Sequence, residues 1–115
     1  MMLVDERTRE VVATRVELAT TRRARRAGLL GRDHFDAGAA LVLAPCLAIH
    51  TAFMRFSIDV AFVDRQGRAV RLVHELAPWR VTVAPRAYAA IELPSGALRR
   101  HAVDVGDRLE LVALD

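Results

Sequence analysis

The sequence predicts an α+β fold that is mainly β: a small bent antiparallel sheet or partly open barrel of about six to seven strands, with one or two short helices. Short segments in which apolar and polar residues alternate recur along the chain, and Gly or Pro separates them at close intervals. Residues 22–27 combine helix-forming residues with an absence of β-branched ones. Many short strands and little helix are typical of this fold class.

The length limits the domain organisation. A chain of 115 residues buries roughly two-thirds of the surface that its unfolded state exposes, which is enough for one core. We therefore expect a single globular domain over residues 11–115. Residues 1–10 are polar and are expected to form a separate N-terminal segment, either frayed or an edge strand.

The first predicted elements are a strand and a short helix. Residues 11–19 alternate between apolar and polar side chains, which predicts a half-buried strand. Thr20 and Thr21 are suitable N-caps for a helix of about two turns over 22–27, and Gly28 is placed to end it.

The middle of the chain contains the predicted core strands. Residues 39–44 read as an apolar strand, and residues 58–63 are apolar apart from Asp59, which indicates a strand that is covered on both faces. Residues 64–67 carry a type I turn signal with Asp first and Gly last, so residues 68–77 are expected to return as an antiparallel hairpin partner.

Shorter elements complete the prediction. The remaining strands are expected over 79–83, 88–93 and 108–114, and Ser95 is placed to cap a single helical turn over 98–101.

The charge pattern disfavours a nucleic-acid partner. The chain is arginine-rich: all 17 basic residues are arginine, yet the net charge is only +3. The few aromatic residues are not interleaved with the arginines, as they usually are in a nucleic-acid-binding surface. We interpret the arginines as a compositional bias.

The composition also predicts where the protein works. The longest apolar run, residues 37–46, is interrupted by Gly38 and Pro45 and is far shorter than the roughly 20 residues that a bilayer requires. Residues 1–10 are charged and show no secretory signal pattern. A single cysteine suits a reducing compartment. We expect a soluble, cytoplasmic protein with no membrane insertion.

The candidate site lies in residues 45–64, where apolar density and the single cysteine coincide. Cys46 and His50 are four residues apart, a spacing that places them on one face of either a strand or a helical turn. We predict that Cys46, His50, Met54 and Trp79 are ligand-binding residues of a cleft.

Three functions remain open for this cleft. The favoured one is a non-catalytic binding module near Cys46, His50 and Met54 that takes a small ligand, a peptide or a protein partner. One alternative is an enzyme in which His50 lowers the pKa of the Cys46 thiol and makes it a nucleophile. We favour it less, because no third catalytic group is evident. The last alternative is a purely structural or assembly partner.

The sequence gives no ligand set for a metal. One cysteine and three histidines without close ligand spacing, His34, His74 and His101, do not form a zinc pattern. We therefore predict no metal site and assign no cofactor.

Four motifs in order carry a family resemblance. They are RAGLLGR at 26–32, MRFSIDVAFVDRQG at 54–67, IELPSG at 91–96 and VGDRL at 105–109. Together they resemble the uncharacterised prokaryotic DUF192 family over about residues 15–112. The resemblance implies a compact, mainly β domain with a short helix after the first strand, and it implies no established activity.

A buried acid leads to the last prediction. Asp59 lies in the most apolar predicted strand, where an unpaired carboxylate costs several kcal/mol. We expect Arg26 or Arg32 to pair with it, because a guanidinium holds a carboxylate by two bonds. Asp59 and these arginines form a predicted structural hub, to which we assign Glu92 and Asp107 from the matched motifs.

Overall fold

The architecture is mainly β, as the sequence predicts. A computed structural model describes residues 1–113, and within them the chain forms ten strands and two short helices. The strands are Met2–Asp5 (β1), Val11–Ala13 (β2), Arg15–Ala19 (β3), Ala39–Leu43 (β4), Ala48–His50 (β5), Ile58–Val63 (β6), Ala69–Leu76 (β7), Val81–Val83 (β8), Ala89–Pro94 (β9) and Leu109–Val112 (β10). The helices are Arg22–Ala27 (α1) and Ala97–Arg100 (α2).

A five-stranded sheet is the centre of the fold. Its strand order is β3-β4-β9-β6-β7, with β9 in the middle. All neighbours are antiparallel except β3 and β4, which run parallel. A parallel pair needs a crossover connection, and α1 with the loop that follows it provides one.

Both faces of this central sheet are covered. Alternate side chains of each strand point to opposite faces, so Val42 and Ile91 join one core cluster while Leu43 and Ala90 join the other. On the first face, here called the α2 face, α2 and a sheet of order β10-β1-β2 pack on the central sheet. The second face, here called the α1 face, is covered by the segment around α1 and by the two-stranded β5–β8 ribbon.

The N-terminal segment differs from its prediction. Strand β1 is the middle strand of its sheet, between β10 and β2, and Leu3 is fully buried. The prediction of a frayed segment or an edge strand is therefore wrong for residues 2–5, because β10, from the far end of the chain, supplies the second partner. The boundary of the 11–115 domain stays a prediction.

The strand predicted over residues 11–19 is divided in two. Strands β2 and β3 belong to different sheets, and Thr14 lies between them. The backbone N–H groups of Thr14 and Arg15 both donate to the carbonyl oxygen of Gly38, at 2.8 and 3.0 Å. This paired contact marks the point where the chain passes from one sheet to the other.

Local signals placed α1 correctly. The Thr21 hydroxyl oxygen accepts the N–H of Ala24 at 3.0 Å, and Gly28 ends the helix at a φ of +46°. Helix α2 differs from its prediction, because its N-cap residue is Gly96, which has no side chain to accept a hydrogen bond. Ser95 therefore does not cap it. Neither helix has the length or apolar character that crossing a bilayer requires.

The predicted hairpin is also present. The Asp64 carboxylate accepts the N–H groups of Gln66 and Arg68 at 2.9 and 3.0 Å, and the Gly67 N–H donates to the Asp64 carbonyl at 3.0 Å. Strands β6 and β7 then pair antiparallel. The strand predicted over 108–114 is observed as β10, and its last position lies outside the described residues.

Candidate functional site

A cavity of about 290 Å³ opens on the α1 face of the central sheet. The C-terminal end of α1 and the residues that follow it form one wall, and β5 with the segment before it forms another. Cys46, His50 and Met54 all line this cavity. The structure therefore brings together three of the four residues that the sequence assigned to a cleft.

Trp79 lies elsewhere. Its ring packs edge to face on Phe53, with 4.6 Å between the ring centroids, and it is 60% exposed. Both residues have positive φ angles, 65° and 64°, so their side chains project from tight turns beside the ribbon. Trp79 does not contribute to the cavity wall.

The thiol of Cys46 is a hydrogen-bond donor in the cavity wall. It is half-buried and donates to the carbonyl oxygen of Ala48 at 3.1 Å. Burial is the largest effect on the Cys46 thiol and raises its pKa, and the hydrogen bond to Ala48 is the next largest and lowers it. The negative charge of Glu92 raises the pKa by less, and the charge of Arg25 lowers it by less again. A nucleophilic cysteine needs a lowered pKa, so the environment of Cys46 does not favour the enzyme hypothesis.

Glu92 lies on the floor of the cavity. It belongs to the middle strand β9, where its direct cross-strand neighbours are Leu41 and Val60. The residue is 4% exposed, and its Oε2 atom has no hydrogen-bond partner within residues 1–113. Burial raises its pKa from 4.5 to about 7, although the charge of Arg32 acts in the opposite direction. The cavity therefore contains a buried carboxyl group with an unused oxygen.

Asp59 is paired differently from its prediction. It is fully buried, and its two carboxylate oxygens accept the backbone N–H groups of Glu75 at 2.8 Å and Leu98 at 3.0 Å. The predicted pairing with Arg26 or Arg32 is therefore wrong.

The direction of the Asp59 side chain explains this correction. Asp59 faces α2, while the segment that carries both arginines covers the opposite face of the sheet. Arg32 pairs instead with Glu17 at 2.9 Å, and Arg26 lines the cavity. Asp59 still joins distant elements, because it links β6 to the first turn of α2 and to the end of β7.

Two arginines of α1 line the cavity beside its thiol. The Arg25 guanidinium donates to the carbonyl oxygens of Thr20 at 2.6 Å and Ala44 at 3.4 Å, which holds it against the end of β4. Arg26 lies one position further along the helix and is exposed. The cavity therefore has a carboxyl floor and a cationic rim.

Asp107 belongs to a separate cluster around β1. The guanidinium of Arg7 donates to both of its carboxylate oxygens, at 2.7 and 3.1 Å, and holds the pKa of Asp107 well below its usual range. Burial, with a hydrogen bond to Asp107, raises the pKa of Asp5 to about 6. The sequence placed Asp107 in a hub with Asp59, but its hydrogen-bond donors are Arg7 of the N-terminal segment and the backbone N–H of Asp104, at 2.9 Å.

The described part of the chain contains no group of three or more His, Cys, Asp or Glu side chains arranged to hold a metal ion. The absence of a metal site and of a cofactor stays a prediction.

Comparison with known proteins identifies the family. The DUF192 family model, described as "Uncharacterized ACR, COG1430", matches residues 3–111. The chain belongs to the DUF192 family. A UPF0127 protein of Pyrococcus furiosus is 42% identical over 64 residues, which cover 55% of this chain and 54% of that protein. The chain thus spans about half the length of this curated relative.

Two solved structures share the fold of this DUF192 chain. A protein of unknown function from Novosphingobium aromaticivorans superposes with a TM-score of 0.83, at 20% identity, over 96% of this chain and 82% of that one. A Sinorhizobium meliloti protein, provisionally described as a transcription regulator, gives a TM-score of 0.79 at 20% identity, over 95% of this chain and 89% of that one. At this identity the likeness shows the fold alone.

Sequence reasoning assigned Glu92 to a structural hub with Asp59, but Glu92 lies on the opposite face of the sheet, at the floor of the cavity. It also missed the Arg25 wall. One signal was available for Glu92, because it is a lone acid within the apolar segment 89–93, as Asp59 is within 58–63. No local signal separates Arg25 from its neighbours in α1, since the helix contains four arginines.

Proposed function

We propose that this DUF192 domain is a non-catalytic binding module, and that a small ligand occupies the cavity lined by Cys46, His50 and Met54. The observation that carries this proposal is Glu92, which lines the cavity and whose buried Oε2 atom has no hydrogen-bond partner within residues 1–113. The family itself is uncharacterised, so the site supplies the argument.

The contrast between two buried carboxyls supports a ligand. Asp59, a buried carboxylate that joins structural elements, accepts two backbone N–H groups. Glu92, which lies two strand positions from the end of β9, receives no such donor from residues 1–113. An unsatisfied buried acceptor costs about 1–3 kcal/mol, so a native protein retains one mainly where something else satisfies it.

The size and chemistry of the cavity favour a small molecule over a peptide or a protein partner. Its volume of about 290 Å³ lies at the lower end of the roughly 300–1,000 Å³ that is typical of ligand pockets. Buried apolar residues such as Leu29 and Ile49 complete its lining. An apolar wall with few convergent polar groups is the usual composition of such a pocket.

The other two functions have less support. The enzyme hypothesis requires an activated thiol, and burial together with Glu92 raises the pKa of Cys46. A purely structural role explains Asp59 and Asp107, which are paired, and leaves the unpaired oxygen of Glu92 without a reason.

The single cysteine permits a direct test. Small fragments that carry a disulfide are equilibrated with the protein under mild reductant, at alkaline pH because the pKa of Cys46 is raised. If the cavity binds ligands, a subset of fragments is captured at Cys46 well above the level of the rest, as intact-protein mass measures.

A cavity-filling variant provides the comparison. Ala48→Phe places a ring at the cavity wall and is expected to abolish the selective capture, whereas Ala113→Phe, at an exposed position outside the cavity, leaves it intact. Equal capture of all fragments by the unaltered protein, or selective capture that survives Ala48→Phe, would contradict the proposed function.

A further inference from the structure

We infer that the ligand is a small bifunctional acid, with a hydrogen-bond donor at one end that meets Glu92 and an anionic group at the other that meets the arginines of α1. The inference rests on the proposed function and adds the chemical class of the ligand. Hydroxy acids and amino acids share this chemistry, and the experiment below separates them.

The floor of the cavity requires a donor. The Oε2 atom of Glu92 is buried without a hydrogen-bond partner within residues 1–113, and the two cross-strand neighbours of Glu92, Leu41 and Val60, are apolar. Among the other cavity residues, the Cys46 thiol already donates to Ala48. Because Glu92 lines the cavity, a hydroxyl or ammonium group of the ligand would supply its carboxyl group with a hydrogen bond.

The rim of the cavity favours an anion. The acids that flank α1 in the sequence are both engaged elsewhere: Glu17 pairs with Arg32, and Asp33 pairs with Arg55. Between these two acids the chain contains no other acidic residue. Arg26 therefore presents its charge at the cavity without a carboxylate from the flanking segments, and a guanidinium matches a carboxylate or phosphate in geometry.

The two ends together exclude simpler ligands. A plain cation would meet Arg25 and Arg26 on its way to Glu92, and like charges at close range repel. A ligand with acidic groups at both ends would place one of them against the Glu92 carboxyl. A molecule with a donor at one end and an acidic group at the other can bond to Glu92 and pair with the arginines of α1 at the same time. A molecule with the wrong group at either end binds more weakly.

Protection of Cys46 from a neutral reagent tests this class. N-ethylmaleimide modifies the single thiol, and a molecule that fills the cavity slows the modification. The probes are β-alanine, γ-aminobutyrate and ε-aminocaproate, with γ-hydroxybutyrate as the hydroxy acid, so that the series spans different distances between the two ends. Butyrate, n-butanol and n-butylamine each carry only one of the two groups.

We expect at least one bifunctional probe to protect Cys46 at a concentration about tenfold lower than any monofunctional probe, because one additional hydrogen bond or ion pair corresponds to about that factor. If the amino acids protect better than the hydroxy acid, the donor is an ammonium group. The reverse order identifies a hydroxyl group.

Two variants assign the ends of the ligand. Arg26→Ala is expected to weaken protection by the best probe about tenfold, while Arg23→Ala, an exposed arginine of the same helix that does not line the cavity, leaves it unchanged. Glu92→Gln keeps an acceptor oxygen but removes the charge, so it is expected to remove any preference for the amino acids over the hydroxy acid.

The outcomes separate this inference from the proposed function. Protection by butyrate or butanol equal to that by the bifunctional probes, or no protection by any probe, would overturn the ligand class. Selective fragment capture at Cys46 would still stand in either case, because it does not depend on which groups the fragment carries. Equal effects of Arg26→Ala and Arg23→Ala would show that the rim arginine does not contact the ligand.

Discussion

Two buried carboxyl groups lie on opposite faces of one sheet and illustrate opposite uses of an acid. Asp59 faces α2 and accepts two backbone N–H groups, whereas Glu92 faces the cavity and has an unpaired oxygen. Burial alone penalises both. The difference between them is therefore the donors that the surrounding backbone supplies.

The first prediction concerns Asp59→Asn. The amide keeps one acceptor but turns an N–H₂ group toward a backbone N–H, so one of the hydrogen bonds to Glu75 and Leu98 is lost inside the core. We expect the free energy of unfolding to fall by about 2–3 kcal/mol, as chemical denaturation measures. Asp64→Asn is the control, because both backbone N–H groups at Asp64 meet the same oxygen, Oδ1, which the amide retains. A loss at Asp59 no larger than at Asp64 would contradict a stabilising role for the second oxygen of Asp59.

The second prediction concerns the pH dependence of stability. Because the pKa of Glu92 rises from 4.5 to about 7 on folding, the folded protein retains a proton that the unfolded chain releases between these values. The free energy of unfolding therefore falls as pH rises through this window, by up to about 3 kcal/mol from Glu92. Glu92→Gln removes this contribution and is expected to be more stable than the parent above pH 7.

A difference measurement isolates Glu92. The raised pKa of Asp5 acts in the same direction and is present in both proteins, so it cancels when the parent and Glu92→Gln are compared over the pH range. Glu6→Gln, at an exposed glutamate, is expected to retain the parent's pH dependence. Parallel stability curves for the parent and Glu92→Gln would show that the pKa of Glu92 does not change on folding.

Among the elements, the β5–β8 ribbon is held by a threonine. The Thr51 hydroxyl donates to the carbonyl oxygen of Ala77 at 2.6 Å and accepts the N–H of Arg80 at 2.9 Å. It thus joins the end of β5 to the turn before β8. Thr82, in β8, is also buried, but its hydroxyl has no partner within residues 1–113.

This pair of threonines gives the third prediction. Thr51→Val leaves the N–H of Arg80 and the carbonyl of Ala77 without the hydroxyl, and we expect a loss of about 2 kcal/mol in the free energy of unfolding. Thr82→Val replaces an unpaired hydroxyl by a methyl group of similar shape and is expected to be neutral or stabilising. Thermal or chemical denaturation compares the two. Equal losses at both positions would show that the shape of threonine matters more than its hydrogen bonds.

The elements that the sequence predicted best are those with local causes. The cap at Thr21, the stop at Gly28 and the Asp64 turn depend on residues within four positions of one another, and all three are confirmed. Helix α2 was misassigned at its start because the carboxylate that meets its first turn comes from Asp59, 39 positions away. Capping from a distant strand leaves no signature near the helix.

At the scale of the whole molecule, the sequence could not predict features that depend on which strands pair and on which face of the sheet a side chain lies. The spacing of Cys46 and His50 correctly predicted that both line one wall of the cavity, because the residues of that wall are close together in sequence. The other walls come from α1 and β9, whose approach depends on the order of strands in the central sheet. For the same reason Asp59 was given arginine partners that lie on the opposite face.

The last prediction tests how much the N-terminal strand β1 contributes to the stability of the fold. Leu3 is fully buried in the middle strand of its sheet, in the cluster that also contains Val12 and Leu109. Leu3→Ala is expected to lower the free energy of unfolding by about 3–4 kcal/mol, because it removes buried methyl groups and leaves a cavity. The matched control is Leu111→Ala, at the cross-strand neighbour of Leu3, which is 42% exposed and is expected to cost less than about 1 kcal/mol. Denaturation of both variants measures the difference. Similar small losses would mean that residues 1–10 add little to the stability of the rest, as a separate N-terminal segment would.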